Sequence, residues 1–269
     1  MRKPLFLILN VLFSYSLLLT STSIANAQKW QHQTEKGPVV VEKIAGDLDT
    51  PWAMAMLPNG NLLVTLRDGK LVLVDRQNAK QISIKGTPRV WAQGQGGLLD
   101  VVLDPNFAEN NLIYLSFSDP DSSGNAGTAI ARARLVGADG VSPRLADYQK
   151  LYSMRKKTNR GQHFGSRIVP DKKGNLFFTI GDRGNRPRAQ DPFDAAGKVM
   201  RIRTDGSIPA NNPFADGKDA LPEIWSIGHR NPQGATLNDL TGEIWTLAHG
   251  PKGGDEINIP QAGKNYGWP

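Results

Sequence analysis

KGNLFFTI, residues 173–180, reads as a tight turn running into a buried strand. Lys173 and Gly174 belong to the turn, and Leu176 to Ile180 are all apolar, aromatic or β-branched, which suits a packed, pleated surface. The pattern returns as NGNLLVTL at 59–66, ENNLIYLS at 109–116 and TGEIWTLA at 241–248. Leu62, Leu112, Leu176 and Ile244 hold the same place in the four copies. Ahead of each copy stands another short apolar run closed by turn residues: AMAMLPNG, LLDVVLDPNF, SRIVPDKKG and GATLNDLTG. KLVLVDRQN and KVMRIRTDG add a further strand after two of them. A unit of this kind cannot bury both its faces alone. Repetition at a loose period therefore predicts blades stacked around an axis, an all-β propeller, with a sandwich as the competing architecture.

No window keeps a helical apolar stripe over three turns, and 28 glycines and 18 prolines break up the chain. Four blades are visible. The sequence reaches KNYGWP just after a dense run of turn signals, and it is expected to be the greater part of a longer protein whose C-terminal part it lacks. The first residues, MRKPLFLILNVLFSYSLLLTSTSIANAQ, carry the basic start, short apolar core and Ala25-Asn26-Ala27 site of an export peptide. This predicts a signal peptide at 1–27, one propeller domain at 28–269, and a periplasmic location without stable membrane insertion. There is no cysteine, so the core, hydrogen bonds and bound ions must hold an exported fold together. The formal charge of +7 is scattered apart from Arg155-Lys156-Lys157. No basic stripe with interleaved aromatics appears, which argues against nucleic acid and leaves room for an anionic cofactor or substrate.

Four loop stretches carry candidate chemistry. TNRGQHFGSRIV, residues 158–169, sets His163 between glycines ahead of a strand. A histidine there can act as a general base, or be a polar residue on a turn. Gln162 beside it is a candidate for fixing a neighbouring group or the ring tautomer. IWSIGHRNPQG, residues 224–234, presents the planar donor fork of Arg230 and the amide of Asn231 on a turn stiffened by Pro232. LAHGPKGGDEIN, residues 247–258, offers Gly250 and Pro251, whose carbonyls suit a hard cation, with Asp255 and Glu256 nearby. AQGQGGLLDVVLDPNF, residues 92–107, places Gln95 in a glycine-rich turn facing the expected central cavity. Asp104, Asp121, Asp182 and Asp191 also lie in turns, and most of them read as structural caps.

Taken in order, GQGGLLDVVLDPNF, GQHFGSRIVPD, GHRNPQG and HGPKGGDEIN followed by NYGWP resemble the soluble quinoprotein sugar dehydrogenases. This is the glucose/sorbosone dehydrogenase family, especially its aldose sugar dehydrogenase branch. The resemblance runs from about residue 38 to Pro269. It implies a six-bladed propeller that binds pyrroloquinoline quinone (PQQ) and oxidises the C1 hydroxyl of an aldose to the lactone. It makes His163 the base and Arg230 the group that stabilises charge developing on the quinone. Gln95, Arg230 and Asn231 become contacts to quinone or sugar. Gly250 and Pro251 become ligands of a catalytic calcium ion. Glu256 and Tyr266, the latter through its carbonyl, become ligands of a second, structural calcium. Gln162 stands where a relative with strict glucose activity has an acid.

Two other readings compete: a calcium-dependent propeller lactonase or esterase, and a periplasmic propeller that binds carbohydrate without catalysis. The first wants a side-chain cage around its metal, and the second leaves His163 and Arg230 unused. The sugar, the electron acceptor and the choice between monomer and homodimer stay open. The export peptide has a direct check. N-terminal sequencing of the secreted product is expected to begin near Gln28, and an uncleaved membrane-bound chain contradicts it.

Overall fold

The computed structural model describes residues 29–269, so the export peptide expected at 1–27 lies outside the described residues. The chain divides into two compact units after Glu42. In the first, β1 (Lys29–Thr34) and β2 (Gly37–Glu42) pair as an antiparallel hairpin. The second, residues 43–269, carries four antiparallel sheets, each a meander in chain order.

The first sheet holds β3 (Pro51–Met56), β4 (Leu62–Leu66), β5 (Leu71–Val74) and β6 (Gln81–Ile84). The second holds β7 (Leu98–Leu103), β8 (Leu112–Pro120), β9 (Ala126–Val136) and β10 (Arg144–Ser153). The third holds β11 (Ile168–Pro170), β12 (Asn175–Ile180), β13 (Lys198–Arg203) and β14 (Ile224–Ile227). The fourth holds β15 (Pro232–Leu237), β16 (Ile244–Ala248) and β17 (Glu256–Asn258). These are four blades of a β-propeller. The four repeated stretches of sequence are the second strands β4, β8, β12 and β16. The one α-helix among the described residues, α1 (Phe107–Asn110), is a single turn.

Each first turn is shaped by an Asx side chain that accepts a backbone N–H two residues on. The pairs are Asn59 with Asn61, Asn110 with Leu112, Asp171 with Lys173, and Asn238 with Leu240. Apolar side chains then fill the seams between blades. Leu63, Leu71 and Leu73 meet Leu98, Leu115 and Phe117 between the first and second blades. Tyr114 and Ile130 meet Ile168, Leu176 and Phe178 between the second and third. Val169, Phe177 and Val199 meet Ile244 between the third and fourth.

One buried hydroxyl also ties each of these blades to the next. Thr65 on β4 donates to the Leu99 carbonyl at 2.5 Å, Ser116 on β8 to Ser166 at 2.6 Å, and Thr179 on β12 to Pro232 at 2.7 Å. Each hydroxyl oxygen also accepts a backbone N–H from the first strand of its own blade or the residue leading into it: Ala53, Asp100 and Arg167 respectively. The fourth blade has Leu247 in the register position that Thr65 holds in the first. Because Ser116 is fully buried, Ser116→Ala would strand both the Asp100 N–H and the Ser166 carbonyl. Urea unfolding is expected to show a loss of about 1–3 kcal/mol. An unchanged midpoint would mean that the hydroxyl contributes nothing to the joint.

Candidate active site

Five segments gather at the end of the blades where the second strands finish. They are the turn 93–97 before β7, the stretch 160–167 before β11, residues 181–184 after β12, the turn 228–231 before β15, and the loop 249–255 after β16. His163 stands among them with a left-handed backbone, φ 56°. That conformation is unusual for a residue with a side chain and is a form of local strain found at functional sites. Its surroundings enforce it. The His163 N–H donates to Gln95 Oε1 at 2.7 Å, and the Gly165 N–H to Asn231 Oδ1 at 3.1 Å. The Thr128 hydroxyl holds the Phe164 carbonyl at 2.8 Å. Gly181 passes beneath so closely that a Cβ there would collide with the His163 carbonyl and the Asn231 amide oxygen.

His163 Nδ1 lies 2.7 Å from Asp182 Oδ1. The ring is 14% exposed and the carboxylate 1%. The same carboxylate accepts the Gly184 N–H at 2.7 Å and the Trp268 indole N–H at 2.8 Å. Burial pushes the Asp182 carboxyl up, but the hydrogen bonds from His163, Trp268 and Gly184 outweigh it and hold it below the ordinary value. An ionised carboxylate only accepts, so the proton of the neutral ring sits on Nδ1 and Nε2 presents a bare lone pair. Gln162 does not fix the tautomer, as the sequence had suggested. It is exposed and lies over Gly184, and Asp182 does that work.

Arg183 completes the support. It is fully buried, with its guanidinium 3.4 Å from the centre of the Phe164 ring. It donates to the Gln162 carbonyl and, at 2.5 Å, to the Arg160 carbonyl, so it fastens the chain just ahead of His163. Burial, then the charge of Arg188, lowers Arg183 to about 9, and the group still carries its charge at neutral pH.

Arg230 joins this centre from the next blade. Its carbonyl accepts the Asp182 N–H at 2.8 Å and its Nη1 donates to the His249 carbonyl at 2.9 Å. Its guanidinium lies 5.5 Å from the Trp268 ring centre. Asn231 is buried beneath the His163 loop. His229 pairs with Ser226 at 2.8 Å and stacks on Tyr266 at 4.7 Å. Burial, then Lys198, pushes His229 down to about 3, so it is a neutral packing group.

In the loop after β16, the Gly250 N–H donates to Asp255 at 2.8 Å, and the Gly253 and Gly254 carbonyls crowd the space where a Gly250 side chain would stand. Pro251 is exposed in the same loop. Glu256, at the start of β17, is exposed and accepts from Asn258 at 3.0 Å. The Tyr266 hydroxyl donates to Ile259 at 2.6 Å. No group of three or more His, Cys, Asp or Glu side chains gathers among the described residues.

The pH dependence of stability tests the Asp182 bonds. A depressed carboxyl contributes stability that is fully present above its unfolded value, 3.8, and lost as pH falls through the folded one. Urea melts should therefore show the wild type ahead of Asp182→Asn by a constant margin above about pH 5, narrowing as the pH drops below about 4. A margin that does not change with pH would show that the carboxylate gains nothing from its partners.

The glucose/sorbosone dehydrogenase family model matches residues 48–269. The chain is 47% identical over 232 residues to the aldose sugar dehydrogenase YliI of Escherichia coli, covering 86% of this chain and 62% of that protein. The apo-form structure of the soluble aldose sugar dehydrogenase from Escherichia coli superposes with a TM-score of 0.80 at 46% identity, covering 84% of this chain and 65% of that one. The PQQ-bound aldose sugar dehydrogenase from Streptomyces coelicolor gives a TM-score of 0.74 at 28% identity, covering 90% and 67%. The chain thus spans somewhat under two thirds of the length of its E. coli relative.

Proposed function

The chain belongs to the glucose/sorbosone dehydrogenase family, and from that premise we propose that this protein, once exported, oxidises the C1 hydroxyl of an aldose to the lactone with pyrroloquinoline quinone as acceptor. The observation that carries the proposal is the His163–Asp182 pair, which leaves a bare imidazole nitrogen at the blade ends where Arg230 is also tied to Asp182 through its carbonyl.

The donor set suits the cofactor. Pyrroloquinoline quinone is a flat tricarboxylate rich in acceptors, and this end of the propeller offers the Gln95 amide, the Arg230 fork and the flat Trp268 indole. Gln95 spends its oxygen on the His163 N–H, which leaves its amide nitrogen to donate outward. When bound, the quinone supplies the two-electron acceptor for the hydride of C1. Gly250 and Pro251 would hold a calcium ion through their carbonyls, and that ion would supply Lewis-acid polarisation. Glu256 and the Tyr266 carbonyl would serve a structural calcium.

His163 takes the C1 hydroxyl proton on Nε2. Asp182 stabilises the imidazolium that results and keeps the ring from turning, the role an acid plays beside a catalytic histidine. Arg230 directs its remaining N–H groups at negative charge developing next to the sugar. Trp268 and the Gly184 N–H keep Asp182 itself from rotating or taking a proton.

Rapid mixing of the quinone-loaded full-length protein with excess aldose reads the chemical step alone. His163→Ala is expected to slow that step about 10²- to 10⁴-fold while quinone affinity is largely kept. Arg230→Ala is expected to weaken both. A His163→Ala protein that reduces its quinone at the wild-type rate would remove the base from the proposal.

A further inference from the structure

A cavity lies at the opposite end of β12 and β13 from Asp182, in the cleft between the third and fourth blades. It has a volume of about 450 Å³, within the range of small-molecule sites. Its wall holds Arg201, a side chain in an unexpected position. Arg201 is only 8% exposed, and among the described residues its Nε–H has no acceptor. Its guanidinium lies 5.5 Å from the Phe177 ring centre and 5.1 Å from that of Trp225. The two rings meet edge to face at 5.2 Å, and the Trp225 indole N–H is anchored on the Pro260 carbonyl at 2.8 Å. The main chain of Arg201 is fixed as well: its N–H donates to the Glu223 carbonyl, and its own carbonyl accepts from Asn212.

The arginine is thus held in a rigid aromatic frame with hydrogen-bonding capacity unspent. Asp171, a nearby acid, acts on it through space, while its own oxygens are engaged by Lys173 and Asn175 in the turn. Burial lowers the guanidinium from its ordinary value, as expected for a charge lacking a contact partner. A buried cation of this kind is costly unless an anion meets it.

We propose that this cleft binds a small polyhydroxy monocarboxylate, its carboxylate on Arg201. A carboxylate matches the guanidinium fork in shape and charge. Lys173, also on the wall, adds attraction. Glu243 and Gln261 supply acceptors and donors for hydroxyl groups, and the Trp225 face suits the C–H surface of such a chain. The acids Asp171 and Glu243 on the same wall disfavour a second negative charge, which argues against phosphates and dicarboxylates.

The site stands apart from the His163 centre and needs no quinone, so its test is independent of the dehydrogenase reading. Calorimetric titration of the quinone-free chain with D-gluconate is the experiment, with D-glucose and sulfate as comparison ligands. Gluconate is expected to bind with a 1:1 stoichiometry, about tenfold or more tighter than either. Arg201→Gln should weaken it about tenfold or more. Lys173→Glu, an exposed change that spares the core, should weaken it about threefold or more through lost attraction. Arg230→Ala should leave it unchanged. Absence of saturable gluconate binding overturns the proposal. So does equal binding of sulfate or glucose, or binding that survives both cleft substitutions and falls with Arg230→Ala.

Discussion

A single threonine hydroxyl holds the candidate active site in register. Thr179 sits near the end of β12, three residues before Asp182. Its oxygen accepts the Arg167 N–H, just past the His163 loop, and its proton goes to the Pro232 carbonyl, just past Arg230 and Asn231. The His163 loop, Asp182 and the Arg230 turn therefore hang from one buried group. Ser116 and Thr65 make the same kind of joint one and two blades earlier, so the spacing of the first strands is set by polar bonds as well as by apolar packing. Hydrophobic seams supply the bulk of the stabilisation but little direction. The hydroxyls supply the direction.

Above that joint the chemistry rests on an electrostatic asymmetry. One deeply buried carboxylate, Asp182, has its oxygens occupied by three donors: the His163 ring, the Gly184 N–H and the Trp268 indole. Such an acid cannot serve as a base. It can orient the His163 ring. Arg183, lying across Phe164 and bonded to the carbonyls of Gln162 and Arg160, fastens the chain just ahead of the strained His163 backbone.

The fold was largely legible in the sequence because the blade repeat is local. A turn residue, a Leu or Ile and a run of β-formers suffice to find β4, β8, β12 and β16, and the Asx turns confirm each start. His163, Arg230 and the Gly250-Pro251 loop were legible as glycine-flanked polar groups. Asp182 was not separated from the capping aspartates, since its partner lies 19 residues back and the bond exists only once two blade ends meet. A signal was nonetheless present: Asp182 directly follows the strand end and Gly181, with a second polar residue beside it. Arg183 and Trp268 gave no such cue. One is a surface-type residue that the fold buries completely, and the other reads as an ordinary aromatic in a turn. Gln162 misled for the converse reason. Adjacency in sequence put it next to His163, while in the fold its side chain lies over Gly184 and Asp182 meets the ring.

Asp182 fixes the His163 ring with its proton on Nδ1 and a bare Nε2. Nitrogen-15 NMR of the ring, with the signals assigned by comparison with His163→Ala, measures this directly in the folded protein. At a pH where the ring is neutral, the account predicts a protonated Nδ1 coupled to its hydrogen and an Nε2 with the shift of an unprotonated imidazole nitrogen. A ring protonated on Nε2, or one exchanging freely between the two tautomers, would contradict it.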